Sequence, residues 1–150
     1  MIDTMFPQVY FRGQLRAEGV KTLEQAYLIS RIRNTGRHEM TNDTSFITRE
    51  MQKIWWEANG DTVRAWIYYL GKQDIGFSMI RGKIATLCVW PRFRGQGIGS
   101  AIYQHLKEES GGDIWIEVKK SNSASVKAAI NAGYHVIAEK PETWTLTPYD

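Results

Sequence analysis

Two places in this chain carry residue types whose spacing can do chemistry. The first is Val89-Trp90-Pro91-Arg92-Phe93-Arg94-Gly95-Gln96-Gly97-Ile98-Gly99-Ser100. An apolar run, Ile84 to Trp90, leads into it, and a helical pattern with Ile98, Ile102 and Leu106 each four apart leaves it. Strand, glycine-rich turn and helix in that order present unpaired backbone N–H groups at the positive end of a helix dipole, which suits a phosphate. Glycine lets phosphate oxygens reach the backbone without meeting a Cβ. The segment is not a P-loop, because the required Gly-Lys-Ser/Thr is missing. Nor is it a dinucleotide fingerprint, because Gly95, Gly97 and Gly99 alternate. The second place is Glu117, in the run Ile114-Trp115-Ile116-Glu117-Val118 ahead of Ser121-Asn122. A carboxylate beside apolar Trp115 is expected to have a raised pKa, which suits a general base.

The glycine-rich segment resembles the Arg/Gln-x-x-Gly-x-Gly/Ala signature of the GNAT superfamily, the acyl-CoA-dependent N-acyltransferases. Arg94, Gly97 and Gly99 fill its fixed positions, and Val89 and Pro91 stand where members often carry them. A second segment is similar as well: a strand from Asp113 to Val118, then Asn122, a helix from Ser123 to Ala132, and Gly133-Tyr134. Asn122 can also be an N-cap and Gly133 a left-handed residue past the helix end. The resemblance is strong from Ile75 to Tyr134 and elsewhere lies in the pattern of elements. It implies acetyl-CoA as co-substrate and no metal. The pyrophosphate would lie on the backbone of Arg94, Gly95, Gln96, Gly97, Ile98, Gly99 and Ser100, with Asn122 as a further contact. Leu87 and Val89 would contribute main-chain atoms to the pantetheine arm, their side chains being core.

Acyl transfer from a thioester to an amine needs a neutral amine, a donor for the oxyanion and relief for the departing thiolate. A backbone N–H near Leu87 to Val89 meets the second need. For the first, the strand around Glu117 looks like that of the ribosomal-protein alanine N-acetyltransferases within the superfamily, where the matching glutamate is the general base. The alternative is a glutamate that pairs with Lys119 or faces solvent. Glu57, Glu50 and His38 are weaker candidates. The third need meets a departure: members commonly place a tyrosine seven residues after the position of Asn122, and here Ala129 stands there. Ser125, one turn earlier on the same helical face, has too high a pKa to be a good acid, and Tyr134 is near in sequence but not expected to reach; Tyr68, Tyr69 or water remain as donors. Cys88 reads as buried packing and not as a covalent acyl carrier. Arg33-Asn34, Met40, Ile47 and the following Trp-containing helix bear a faint similarity to members that acetylate nucleotide-linked amino sugars. Trp55, Trp56 and Trp66 are either walls of an acceptor pocket or core.

The elements that must position these groups follow from periodicity and punctuation. Val9 to Arg16 reads as a strand. Thr22 to Asn34 reads as a helix with Thr22 as N-cap, and Thr48 caps a second helix whose apolar stripe is Ile47, Met51, Ile54, Trp55 and Ala58. Arg37 to Phe46 between them is polar loop. Val63–Leu70, Ile75–Ile80 and Ile84–Trp90 read as strands joined by hairpin turns at residues 71–74 and 81–83. His135–Lys140 and Thr143–Thr147 are terminal strands broken by Pro141. The order β-α-α-β-β-β-α-β-α-β-β is that of the GNAT fold. The class is α/β (α+β), a mixed central β-sheet with helices on both faces and a splay between the fourth and fifth strands.

Composition narrows the partners. The 150 residues suit one domain spanning 1–150. Hydrophobic content of 43% and charged content of 23% are ordinary globular values. A net charge of +3, with acidic residues interleaved, is no nucleic-acid footprint. A lone cysteine allows no intrachain disulfide and fits a reducing compartment. Neither a signal peptide nor a membrane span is legible. The expectation is a cytoplasmic N-acetyltransferase acting on a primary amine of a small molecule or protein, with no nucleic-acid or membrane partner and a homodimer left open. The alternative, motivated by Ala129, is a non-catalytic or weakly catalytic acyl-CoA-binding module on the same fold.

Overall fold

The computed structural model describes residues 15–41 and 43–149. The expected first strand, Val9 to Arg16, falls for the most part outside the described residues; β1 is Leu15–Gly19. Thr22 starts α1, Leu23–Thr35, through a capping box: its hydroxyl accepts the Gln25 N–H, and the Gln25 side chain accepts the Thr22 N–H in return. Thr48 caps α2, Arg49–Asn59, by accepting the Met51 N–H. The strands β2 (Val63–Leu70), β3 (Gln73–Arg81) and β4 (Ile84–Val89) form an antiparallel meander. Their connections are tighter than the sequence reading had them, with Gly71 and Gly82 each turning the chain at φ 63°. The chain continues through α3 (Ile98–Ser110), β5 (Ile116–Lys119), α4 (Ser123–Asn131), β6 (His135–Glu139) and β7 (Thr143–Thr147).

The splay is wide enough to divide the strands into two antiparallel sheets, β1-β2-β3-β4 and β5-β7-β6. They meet through one parallel bridge, Ile84 with Trp115. The Ala85 N–H donates to the Trp115 carbonyl at 2.9 Å, and the Trp115 N–H to the Lys83 carbonyl at 2.9 Å. Among the described residues, the mixed character of the sheet survives only there. Beyond it β4 and β5 part, and β5 pairs with β7 instead, which is why regular strand begins at Ile116 and not at Asp113.

Side chains along β2 alternate between two cores. Trp66 and Tyr68 pack with Ile98, Ile102 and Leu106 of α3, while Ala65 and Ile67 pack with Ile29 and Ile32 of α1. A strand buried on both faces in this way must be apolar almost throughout, and β2 is. The stripe expected to bury α2 does not do so. Met51 is 47% and Ile54 63% exposed, and the one fully buried residue of the helix is Gln52, whose amide donates to the Ala26 carbonyl at 2.7 Å.

Candidate functional site

The gap between β4 and β5 opens into a cavity of about 210 Å³. Leu87, Val89, Arg94, Gly95, Ile98, Gly99, Glu117 and Asn122 all line it, so residues chosen from separate stretches of sequence face one space. Gln96, Gly97 and Ser100 are outside the lining. The Ser100 hydroxyl instead donates to the Ala128 carbonyl of α4 at 3.1 Å.

One end of the cavity is the start of α3. Gly97 is its N-cap at φ 83°, with no side-chain cap. The first backbone bond of the helix runs from the Ala101 N–H to the Gly97 carbonyl, so the N–H groups of Ile98, Gly99 and Ser100 have no partner within the helix. Gly95 turns the loop at φ 79°, with no atom within 4 Å of where a Cβ would stand. This is a bare, positively polarised helix end approached by a loop without side-chain bulk, and it fits an anionic oxygen group. The Arg94 side chain is not part of that cradle. Its Nε donates to the Val89 carbonyl at 3.1 Å and its Nη1 to Glu39 Oε1 at 2.9 Å, tying the loop to the end of β4 and to the turn at Arg37–Glu39.

The long wall is the edge of β4. Lys83 and Ala85 turn their backbone groups towards β5 at the bridge. The two-residue period of a strand puts those of Leu87 and Val89 on the same edge, past the last bridge and facing the gap. Cys88, between them, packs into the α1 core, although the residue also borders the cavity; burial pushes its thiol up and keeps it neutral.

Glu117 lines the same cavity, together with Thr41, Met40 and Glu39. Glu117 does not pair with Lys119, whose ammonium donates to the His38 carbonyl at 2.6 Å. Two of its partners come from the β6–β7 connection and the start of β7: Lys140 Nζ at 3.1 Å and Thr143 Oγ1, which donates at 3.1 Å. The expected rise in pKa is corrected here. Partial burial does push the carboxyl up, but the hydrogen bonds from Lys140 and Thr143 and the charge of Lys140 outweigh it, holding Glu117 below its ordinary value. Trp115, the apolar neighbour behind that expectation, is 39% exposed.

Other candidates sort by position. Tyr68 is buried elsewhere, bonded to Ser78 and His105, and Tyr69 is likewise absent from the lining. Glu50 and Glu57 are exposed on α2 outside the cavity. Arg33 donates to the carbonyls of Asp43 and Ser45, and Asn34 makes a two-way bond with the backbone of Ile47 at 2.9 Å. Both therefore clamp the α1–α2 loop. Ser125 does line the cavity, and behind it stands a residue that sequence reasoning passed over, Tyr103 of α3. Its hydroxyl is 2.7 Å from Ser125 Oγ. The signal was present: Tyr103 is four residues after Gly99 and so on the same helix face. Among the described residues no group of His, Cys, Asp and Glu side chains is arranged to hold a metal ion, and no helix is long and apolar enough to cross a membrane.

The fold recurs among solved structures. A proposed acetyltransferase from Salmonella typhimurium, solved with acetyl-CoA, superposes with a TM-score of 0.67 at 14% identity, covering 89% of this chain and 90% of that one. A ribosomal alpha-N-protein acetyltransferase in complex with coenzyme A gives 0.64 at 16%, covering 89% and 92%. A spermidine N-acetyltransferase from Vibrio cholerae, with coenzyme A and spermine, gives 0.66 at 11%, covering 89% and 92%. No curated protein sequence matches the chain. The sequence profile of the Acetyltransferase (GNAT) family does match it, over residues 20–134. With the splayed strands, the uncapped α3 and more than half of its length matched, the chain belongs to the GNAT acetyltransferase family.

Proposed function

We propose that the protein is an N-acetyltransferase that moves the acetyl group of acetyl-CoA to a primary amine, working as one domain in the cytoplasm. The observation that carries this reading is the continuity of one cavity, from the bare N-terminus of α3 along the free edge of β4 to the carboxylate of Glu117. Acetyl-CoA, when bound, supplies a thioester carbonyl for attack. The N–H groups of Ile98, Gly99 and Ser100 hold the pyrophosphate, with the loop from Arg94 to Gly97 shaped to let it approach. Leu87 and Val89 hold the pantetheine amides through main-chain atoms, and a backbone N–H of this edge steadies the developing oxyanion. Asn122 stays at its post as the N-cap of α4, its side chain accepting the Ser125 N–H at 3.3 Å.

Glu117 stays ionised at neutral pH, in the form that can accept a proton. Taking a proton directly from an ammonium of pKa about 10 would be steeply uphill for it. The amine must enter neutral; as the new N–C bond forms, the nitrogen becomes far more acidic, and Glu117 accepts that proton, directly or through water. The acceptor belongs to the class of protein N-termini and lysines, amino sugars and small amines, within which the neighbours include a ribosomal-protein and a spermidine acetyltransferase. Ala129, fully buried where the family commonly has a tyrosine, favours one second reading: a weakly catalytic or non-catalytic acyl-CoA binder. A turnover screen with acetyl-CoA over peptides, polyamines, amino sugars and small amines tests both. Release of coenzyme A coupled to one acceptor class is expected; tight binding with no acetylation of any of them would favour the binder.

A further inference from the structure

We propose that Ser125, backed by Tyr103, is the hydrogen-bond donor for the departing thiol sulfur of coenzyme A, in the role the alanine at position 129 cannot fill. The assignment rests on the acyl-CoA reading above. Its basis is the one pair of side-chain hydroxyls on the cavity wall between the α3 and α4 helices, 2.7 Å apart.

The bond between them has a preferred direction. A phenol is the stronger acid of the two and the better donor. Both residues line the cavity, but Tyr103 is fully buried and Ser125 only half-buried, so the Ser125 hydroxyl has the more open side on which to place its hydrogen. With Tyr103 donating, every buried hydrogen is used and the Ser125 O–H is free to point into the cavity. Accepting a hydrogen bond polarises a hydroxyl and makes it a better donor in turn. Tyr103 cannot swing away. Its ring packs edge-on against Tyr134, centroids 5.1 Å apart, and the Tyr134 hydroxyl donates to the Tyr103 carbonyl at 2.8 Å. The bond from Ser100 to the Ala128 carbonyl locks α3 and α4 in the register that brings the two hydroxyls together.

The pair donates a hydrogen bond and keeps its protons. Burial pushes the Tyr103 hydroxyl up to about 12, whereas a thiol titrates near 8.5, so passing a proton along the pair to the thiolate would be roughly a thousandfold or more uphill. As the C–S bond breaks, its electron pair stays on sulfur, Ser125 shares its proton without losing it, and water protonates the sulfur on release. The amine's proton leaves separately, at Glu117.

The test needs no acceptor. Coenzyme A bound to the protein is titrated by the ultraviolet absorbance of its thiolate, on the parent, Ser125→Ala, Tyr103→Phe and Ser125→Thr. A donor aimed at sulfur favours the charged form. The bound thiol is therefore expected to titrate about one pH unit lower on the parent and on Ser125→Thr than on Ser125→Ala, with Tyr103→Phe between. Affinity for coenzyme A below pH 7 should be alike in all four, which checks that each has folded. Equal titration in all of them would overturn the assignment. A parent that lowers the thiol's titration yet acetylates no amine would sink the transferase reading and leave this one standing.

Discussion

At Gly97 the backbone is left-handed, and the next three N–H groups have no helical partner. Asn and Asp both tolerate this conformation at similar cost, so Gly97→Asn and Gly97→Asp differ mainly in charge. Gly97→Asp is expected to bind coenzyme A at least tenfold more weakly than Gly97→Asn, about 1.4 kcal/mol, by calorimetry; equal affinities would move the phosphate elsewhere. Glu117→Gln should keep that affinity and lose about a hundredfold in rate. Because the carboxyl is held below its ordinary 4.5, it does not titrate near neutrality. The rise in rate with pH over about 6 to 9 belongs to the amine losing its proton and should persist in Glu117→Gln; a limb that vanished there would place the titration on Glu117 after all. The bare, glycine-led start of α3 was legible in the sequence because it is made of backbone and local glycine spacing. The titration of Glu117 was not, because Lys140 and Thr143 arrive from the β6–β7 connection and the start of β7, and no local pattern announces them. The place of Tyr103 on the Gly99 face of α3 was readable from spacing, but its bond to Ser125 on another helix was not.

Helix starts were readable from their caps, since Thr22, Thr48 and Asn122 each bind backbone within a turn. What covers a helix was not: the stripe on α2 identifies an apolar face, but the core below α2 is reached by Gln52 from the other side. The junction of α1 with its following turn is tighter than either element shows alone. A Cβ on Gly36 would stand 2.9 Å from Cys88 Sγ and 3.0 Å from Arg94 Nη2. Gly36→Ala should therefore push the guanidinium off Glu39 and cost about 1–3 kcal/mol, read as a lower urea midpoint, together with weaker coenzyme A binding as the Arg94 loop loosens. Unchanged stability and binding would show that Arg94 is not the tie between loop and turn.

For the molecule as a whole, His105 sets an acid limit. It is fully buried, with Nδ1 2.7 Å from the Tyr68 hydroxyl and its ring edge-on to Trp66 at 5.1 Å. Burial first, and then the charge of Arg64, lowers its pKa to about 4, even with Glu109 at 3.7 Å from Nε2. The unfolded chain takes up a proton near pH 6.5 that the folded one refuses, so this stability is full above about 6.5 and is lost as the pH falls towards 4, by up to about 3 kcal/mol. Urea midpoints at pH 7 and 4.5 should differ less in His105→Asn than in the parent, other carboxylates contributing equally to both; an equal difference would absolve His105. The overall order of elements was legible because each is short and punctuated, whereas the division into two sheets depends on which edge β5 prefers, a choice no single strand encodes. That division also says how the chain would come apart. A cut in the turn after α3 leaves one fragment with a complete four-stranded sheet and another with a three-stranded one, recognising each other through the α3 core and one bridge between Ile84 and Trp115. A molecule lying along that gap would then act as glue, and reassembly of the two fragments would report its concentration.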